Sequence, residues 1–191
     1  MEIVEPIRKK TDLEAIKKIL KSCNLRDYAL FVLGINSGLR ISDLLRLKVK
    51  DVIDPSSRRM KIAYRIRIRE KKTGKTKDFP LNTAARSALS EYLNSVRLSK
   101  DSPLFPSRKG KGHLSTRQAH RIISTAARKA GIYERIGTHT MRKTFAYHAY
   151  KSGVDISLLQ KLLNHASQTE TLRYMGILRD DLDQVYTNLK L

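Results

Sequence analysis

A mainly α-helical α+β domain carrying one small antiparallel β-sheet is the architecture this chain predicts, and three observations predict it. Apolar residues recur at helical spacing through most of the sequence, in segments set off by capping residues and glycines. Within residues 49–81 that period gives way to an alternation of apolar and basic residues, Met60-Lys61-Ile62-Ala63-Tyr64-Arg65-Ile66-Arg67-Ile68-Arg69, as in a half-exposed strand with a cationic outer face. No internal repeat or low-complexity tract interrupts the chain and Pro and Gly are sparse, so residues 1–191 read as a single domain with a proper core.

Taken in order, Thr11 and Glu14 have the spacing of a capping box. A helix is expected behind it, with Leu13, Ile16, Ile19 and Leu20 inward and Lys17, Lys18 and Lys21 outward. A second helix is expected over 24–35, where Leu25, Tyr28, Ala29, Phe31, Val32 and Leu33 leave almost no polar face, so it belongs in the core. It stops at Asn36-Ser37-Gly38, where glycine can turn left-handed, and a short apolar helix follows Arg40. After the 60–69 strand, Thr73-Gly74 makes a tight turn and Asp78-Phe79-Pro80-Leu81 returns as the last strand of the sheet. Asn82 caps a helix over 83–97 with Ala88, Leu89, Tyr92 and Leu93 inward. Residues 102–106 read as an extended linker, and 107–113 form a flexible basic loop containing Arg108, Lys109 and Lys111. Ser115 caps a helix ending at Gly131, an amphipathic helix opens near Thr138 and closes at Gly153, and Asp155 caps a short one over 156–163. In the tail, 180–191, Leu182, Val185, Tyr186 and Leu189 share one helical face.

Charge narrows the function. Lys plus Arg number 39 against 18 Asp plus Glu, a formal charge of +21. An excess of that size implies a polyanionic partner, with nucleic acid foremost and a membrane surface or plain solubility as the rivals, and its spread along the whole chain favours a folded face that tracks phosphates. No apolar run is long enough to span a bilayer and residues 1–5 show no signal-peptide pattern, so no membrane partner is expected. Cys23 is the single cysteine; it cannot form an internal disulfide, and its apolar neighbours predict a buried thiol in a reducing cytoplasm.

Several residue types could do chemistry. His139 and Arg142 are three apart at a helix opening and share a face, so they can converge on one anion, although such a pair is also an ordinary surface feature. Arg40 follows the turn at Gly38, and Asp43 lies three residues beyond it. These two form either a surface ion pair or an arginine aimed at a phosphate and held straight by a carboxylate. Arg65 and Arg67 on the strand, Lys71, Lys75 and Lys77 around the hairpin tip, and Arg108, Lys109 and Lys111 in the later loop are the expected DNA-contacting cations. Tyr174 is one of eight tyrosines, and His165 stands where a helix C-cap would.

Together these residues resemble a known family. Arg40 in Ser37-Gly38-Leu39-Arg40-Ile41-Ser42-Asp43-Leu44, then His139-x-x-Arg142, then His165 in Leu162-Leu163-Asn164-His165, then Tyr174 nine residues on, stand in the order of the tyrosine recombinases, the phage integrase family. Lys72, before Phe79-Pro80-Leu81, best matches the family's hairpin lysine. The likeness runs from about residue 11 to 174. It implies the DNA breaking-rejoining catalytic fold and site-specific cleavage and rejoining of double-stranded DNA through a 3′-phosphotyrosine. The implied roles are Tyr174 as nucleophile, Arg40 and Arg142 on the non-bridging oxygens, His139 accepting the tyrosine proton, Lys72 protonating the leaving oxygen and His165 donating to the phosphate, with Asp43 orienting Arg40. No metal or other cofactor is implied, because the arginines and lysine already supply fixed positive charge. Subunits of such enzymes are monomers off DNA and assemble on paired sites as a tetramer, so the tail is expected to dock on a neighbour or fold back on its own domain. Asn164 stands where the family usually has glycine and Lys143 where a histidine often follows the arginine. The N-terminal clamp domain of longer members is expected to be absent. A type IB topoisomerase-like relaxing enzyme and a non-catalytic DNA-binding module are the other classes compatible with this pattern.

Overall fold

In the computed structural model, which describes residues 4–57, 60–108, 110, 112–177 and 186–188, the stripe of Leu13, Ile16 and Leu20 buries one face of α1 (Lys10–Cys23). Helix α2 (Leu25–Ser37) starts at Asn24, whose side chain accepts from the Arg26 and Asp27 amides. Its nearly unbroken apolar sequence is explained by its place: it packs against α1, α4 (Thr83–Asn94) and α6 (Thr138–Lys151), with Leu30, Phe31 and Leu33 fully buried. Gly38 then takes φ 60°, a left-handed turn that few other residues tolerate, with the Phe145 ring lying where a side chain would stand. That turn directs the chain into the short α3 (Ile41–Leu45).

A single 3-10 turn at Val49–Asp51 leads to the sheet, in which β1 (Arg65–Arg69) pairs antiparallel with β2 (Thr76–Pro80). The regular strand is shorter than the 60–69 alternation predicts. Residues 61–63 pair instead with the segment after the 3-10 turn, through an Ile53–Ile62 bridge and the Ala63 amide on the Val52 carbonyl. The return strand begins two residues earlier than expected, at Thr76. The register sets Ile66 opposite Phe79, Ile68 opposite Lys77 and Arg67 opposite Asp78. Alternation therefore puts Lys77 on the inner face with Ile66 and Ile68, and Arg65, Arg67 and Asp78 on the outer one.

The extended run 102–106 passes through the core: Leu104 and Phe105 are fully buried and bond Leu47 and Leu114 through the backbone. Ser115 and Gln118 form a reciprocal capping box at the start of α5 (Thr116–Lys129). Asp155 caps α7 (Ile156–Leu163), and Ser167 caps α8 (Gln168–Met175). The main apolar cluster joins α1 to α5 with the sheet; a second, smaller one gathers Ala146, Leu159, Leu163, Met175 and Ile177 where α6, α7 and α8 meet.

Two expectations are corrected. Thr11 does not cap α1: the helix starts at Lys10 after Lys9, without a side-chain cap, and Glu14 pairs with Lys17. The preceding segment is fixed elsewhere, Glu5 on the Arg135 carbonyl and Ile7 on the Thr144 hydroxyl, and this sets the first helical residue. Cys23 is exposed rather than buried, because α1 ends there and its inward stripe stops at Leu20. Among the described residues no helix is long and apolar enough to cross a membrane. Lys109, Lys111 and most of the tail, including Leu182, Val185 and Leu189, lie outside the described residues; Tyr186 is exposed.

Candidate active site

Arg142 is the hub. It lies one turn inside α6, only 3% exposed, and its guanidinium donates to the carbonyls of Gly38, at the turn before Arg40, and Leu163, at the end of α7 (2.7 Å for the latter). Burial pushes its pKa below the usual value, as does Arg40, while Tyr174, Glu70 and Asp43 oppose the shift. Arginine keeps its proton in any case, so the site holds a fixed buried cation.

Arg40 is the N-cap of α3 in extended conformation, and its guanidinium donates to Glu70 Oε1 at 2.9 Å. Asp43 is not its partner, which corrects the expectation. The spacing of three residues brings side chains together only when both are helical, and Arg40 stands outside the helix. Asp43, 4% exposed, instead accepts from the Lys71 amide at 2.8 Å and so anchors the hairpin to α3; its second oxygen has no partner.

Glu70, 2% exposed, is the residue that sequence reasoning missed. The available signal was its isolation, as the single acid between Lys61 and Lys77. Besides Arg40 it accepts from the Thr73 hydroxyl at 2.7 Å and from Asn164 Nδ2 at 3.2 Å. Burial raises its pKa, but the Thr73 hydroxyl, Arg40 and Lys77 outweigh that and hold the carboxyl below its ordinary range.

The hairpin lysines divide. Lys77, on the inner face, donates to the Leu162 carbonyl at 3.3 Å. Burial, with Arg142 and Arg40 nearby, lowers its pKa to about 8 against the opposing pull of Glu70 and Asp43. Lys72 is exposed at the turn, close enough for its charge to act on His139. Lys71 and Lys75 are exposed, as are Arg65 and Arg67, which share Asp78 on the outer face. Arg108 is exposed beside a groove also lined by Arg26 and Arg121, apart from this cluster.

Tyr174 sits on α8, half-buried, with the His165 ring edge-on at a centroid distance of 4.8 Å and Lys143 Nζ 5.3 Å from its ring centre. Burial raises the phenol's pKa; Arg142, by charge and by a hydrogen bond, and Arg40 work against it. His165 follows Asn164, whose φ of 53° ends α7 in the left-handed region. His165 Nδ1 lies 3.1 Å from the Thr171 hydroxyl, which itself donates to the Ser167 carbonyl. Thr171 can then only accept from the ring, so neutral His165 carries its proton on Nδ1 and leaves the Nε2 lone pair open. Burial, Arg142 and Arg40 lower the His165 pKa, with Glu170 opposing. His139, open to solvent on one side, is lowered by burial and by Arg142, Lys143, Arg40 and Lys72. Both rings are therefore neutral at neutral pH and able to take a proton.

The cluster thus contains two arginines, a lysine of lowered pKa, two neutral imidazoles and a phenol, an arrangement that can hold an anion beside a nucleophile. The family model described as the phage integrase family matches residues 9–179. The probable integrase/recombinase YoeC of Bacillus subtilis is 40% identical over 186 residues, 97% of each chain. Tyrosine recombinase XerC of Thermodesulfovibrio yellowstonii is 34% identical over 169 residues, 84% of this chain and 53% of the relative. The chain thus spans nearly all of the first relative and about half of the second. The crystal structure of XerA recombinase matches with a TM-score of 0.75 at 26% identity, over 98% of this chain and 64% of that one. The post-cleavage complex of XerH bound to a palindromic difH substrate matches in fold, with a TM-score of 0.72 at 22% identity over 97% of this chain and 53% of that one.

Proposed function

The chain belongs to the phage integrase family, the tyrosine recombinases, and on that premise we propose that it cleaves and rejoins double-stranded DNA through a covalent 3′-phosphotyrosine on Tyr174. The Tyr174 oxygen attacks the scissile phosphorus, forming a P–O bond to the phenol as the bond to the 5′ oxygen breaks. His139 takes the phenol proton, and Lys72 supplies one to the departing oxygen. Arg40 and Arg142 hold the non-bridging oxygens, where negative charge grows. With its Nδ1 proton committed to Thr171, His165 donates to the phosphate through Nε2 only as the imidazolium, a state that the phosphate's own charge favours. Reversal of these steps with a new 5′ hydroxyl reseals the strand, the bond energy having been kept in the phosphotyrosine.

The observation that supports this most is that buried Arg142 ties the turn before Arg40 to the end of α7, directly before His165, whose ring lies 4.8 Å from that of Tyr174. Site choice would require subunits to pair as a tetramer on two sites, monomers off DNA, in the cytoplasm. The test is a nicked duplex from which the cleaved end diffuses away, so that the reverse reaction cannot occur. A covalent adduct stable to denaturant and mapping to Tyr174 is expected. Tyr174→Phe should abolish the adduct while leaving DNA affinity unchanged. An adduct on another residue, or none with the unaltered chain, would refute the reading.

A further inference from the structure

We propose that Glu70 is the positioning residue for Arg40: a buried carboxylate that fixes the direction of the arginine fork and folds the turn presenting Lys72. This rests on the functional reading above. A carboxylate offers about four acceptor positions, and Glu70 fills three of them from three parts of the fold: Arg40 at the start of α3, Thr73 in its own turn, and Asn164 at the end of α7. Its side chain is 1% exposed, so water does not compete for these bonds, while the Arg40 side chain retains 17% exposure. A flexible guanidinium is useful to a transition state only if its fork already points at the oxygens, and one edge committed to a rigid acceptor sets that direction.

The backbone of Glu70 closes the turn as well. Its amide donates to the Lys75 carbonyl at 3.0 Å, and its carbonyl accepts from the Gly74 amide at 2.9 Å. Lys72 therefore hangs from a turn whose first residue is bonded to Arg40. Asn164 belongs to the same arrangement. The position calls for a left-handed backbone, and asparagine both tolerates it and adds a donor to Glu70 that glycine lacks. The acid inside a basic hairpin and the asparagine in a glycine's place are two halves of one contact. Asn164 is exposed, so its share is the smaller one.

The experiment uses the full chain on the nicked duplex and measures the single-turnover cleavage rate and the duplex Kd separately. Glu70→Gln, nearly isosteric, keeps an acceptor but loses the charge. It should slow cleavage by about 10–100-fold, the range found for residues that orient another ligand, with Kd changed less than about twofold. Asn164→Gly should slow it only a few-fold. The combination of Glu70→Ala with Arg40→Ala should be slowed by much less than the product of the two single effects, since without the arginine only the bond to the Thr73 turn remains to be lost. A wild-type rate for Glu70→Gln, or a double variant slowed by the product of the single effects, would overturn the role. Should Glu70→Ala fail to fold, Glu70→Gln alone still decides. Absence of an adduct with the unaltered chain would remove the functional reading itself, an outcome distinct from a normal adduct with an insensitive Glu70.

Discussion

The ammonium of Lys77 donates to the carbonyl oxygen of Leu162, 3.3 Å away and 85 residues later in the chain. The next carbonyl, that of Leu163, accepts from Arg142. The C-terminal end of α7, where unpaired carbonyls concentrate negative potential, is thus met by two cations from different elements, immediately before His165.

Lys77 titrates inside the working range. Its folded pKa of about 8 lies below the ordinary value of 10.5, chiefly because of burial. The unfolded chain therefore binds more protons between these two values, and folding stability gains from this group as pH rises through that window. Below pH 8 the buried ammonium is a net cost. Replacing Lys77 with methionine should accordingly favour the folded state more at pH 7 than at pH 10.5, as measured by urea melts at both. A variant-to-wild-type difference that is the same at both pH values would contradict the assignment.

Lys72 and Lys77 can be separated by the leaving group. An alkoxide leaves poorly without a proton, water at a pKa of about 15.7 being a rough proxy. Sulfur at the bridging 5′ position leaves as a thiolate of pKa about 8.5 and needs none. Lys72→Ala should be badly impaired on ordinary DNA and largely restored on the sulfur-bridged duplex. Alanine at Lys71 or Lys75 should weaken binding mildly and show no special rescue. Rescue at Lys77 instead would transfer the acid to the inner face of the hairpin.

Arg142 joins two parts of the fold and, in the proposed mechanism, also holds the phosphate. Arg142→Ala strands the Gly38 and Leu163 carbonyls in the interior. At about 1–3 kcal/mol for each buried group left unpaired, the loss should be roughly 2–6 kcal/mol of stability. Cleavage should vanish on ordinary and sulfur-bridged DNA alike, because the leaving oxygen is not its concern. Equal urea midpoints for Arg142→Ala and the wild type would show that the two carbonyl bonds contribute nothing.

The charge of +21 makes duplex binding salt-sensitive. Six phosphate contacts would give a log–log slope of roughly −5 for affinity against salt. Removing Arg65 and Arg67 together should make the slope shallower by about two. An unchanged slope would place the phosphates away from the outer face of the hairpin.

The helices were legible because each announces itself locally: stripes such as Leu13, Ile16 and Leu20 and caps such as Asn82, Ser115 and Asp155 need no tertiary information. The order of Arg40, His139, Arg142, His165 and Tyr174 was legible for the same reason, as short motifs in sequence. What joins them was not. The face of Lys77 depends on the register across the 70–75 turn, which alternation within β1 alone does not set. The Arg40–Glu70 contact spans 30 residues, and the nearer acid, Asp43, has the correct spacing but a partner at the wrong helical position. Thr11 and Glu14 show the converse failure, since a sound local signal was overridden by an N-terminal segment pinned to α6.

Arg142, fastened to both Gly38 and Leu163, is a rivet whatever it does in the proposed chemistry. A lineage that abandoned strand cutting but kept its grip on DNA could drop the Tyr174 hydroxyl at once, since the two carbonyl bonds of Arg142 do not depend on that oxygen. The arginine would persist long after its chemistry had gone, held by the architecture it joins. Descendants of such a lineage would keep the arginine for the architecture it joins, so an intact Arg142 by itself would not show that a chain still cuts DNA.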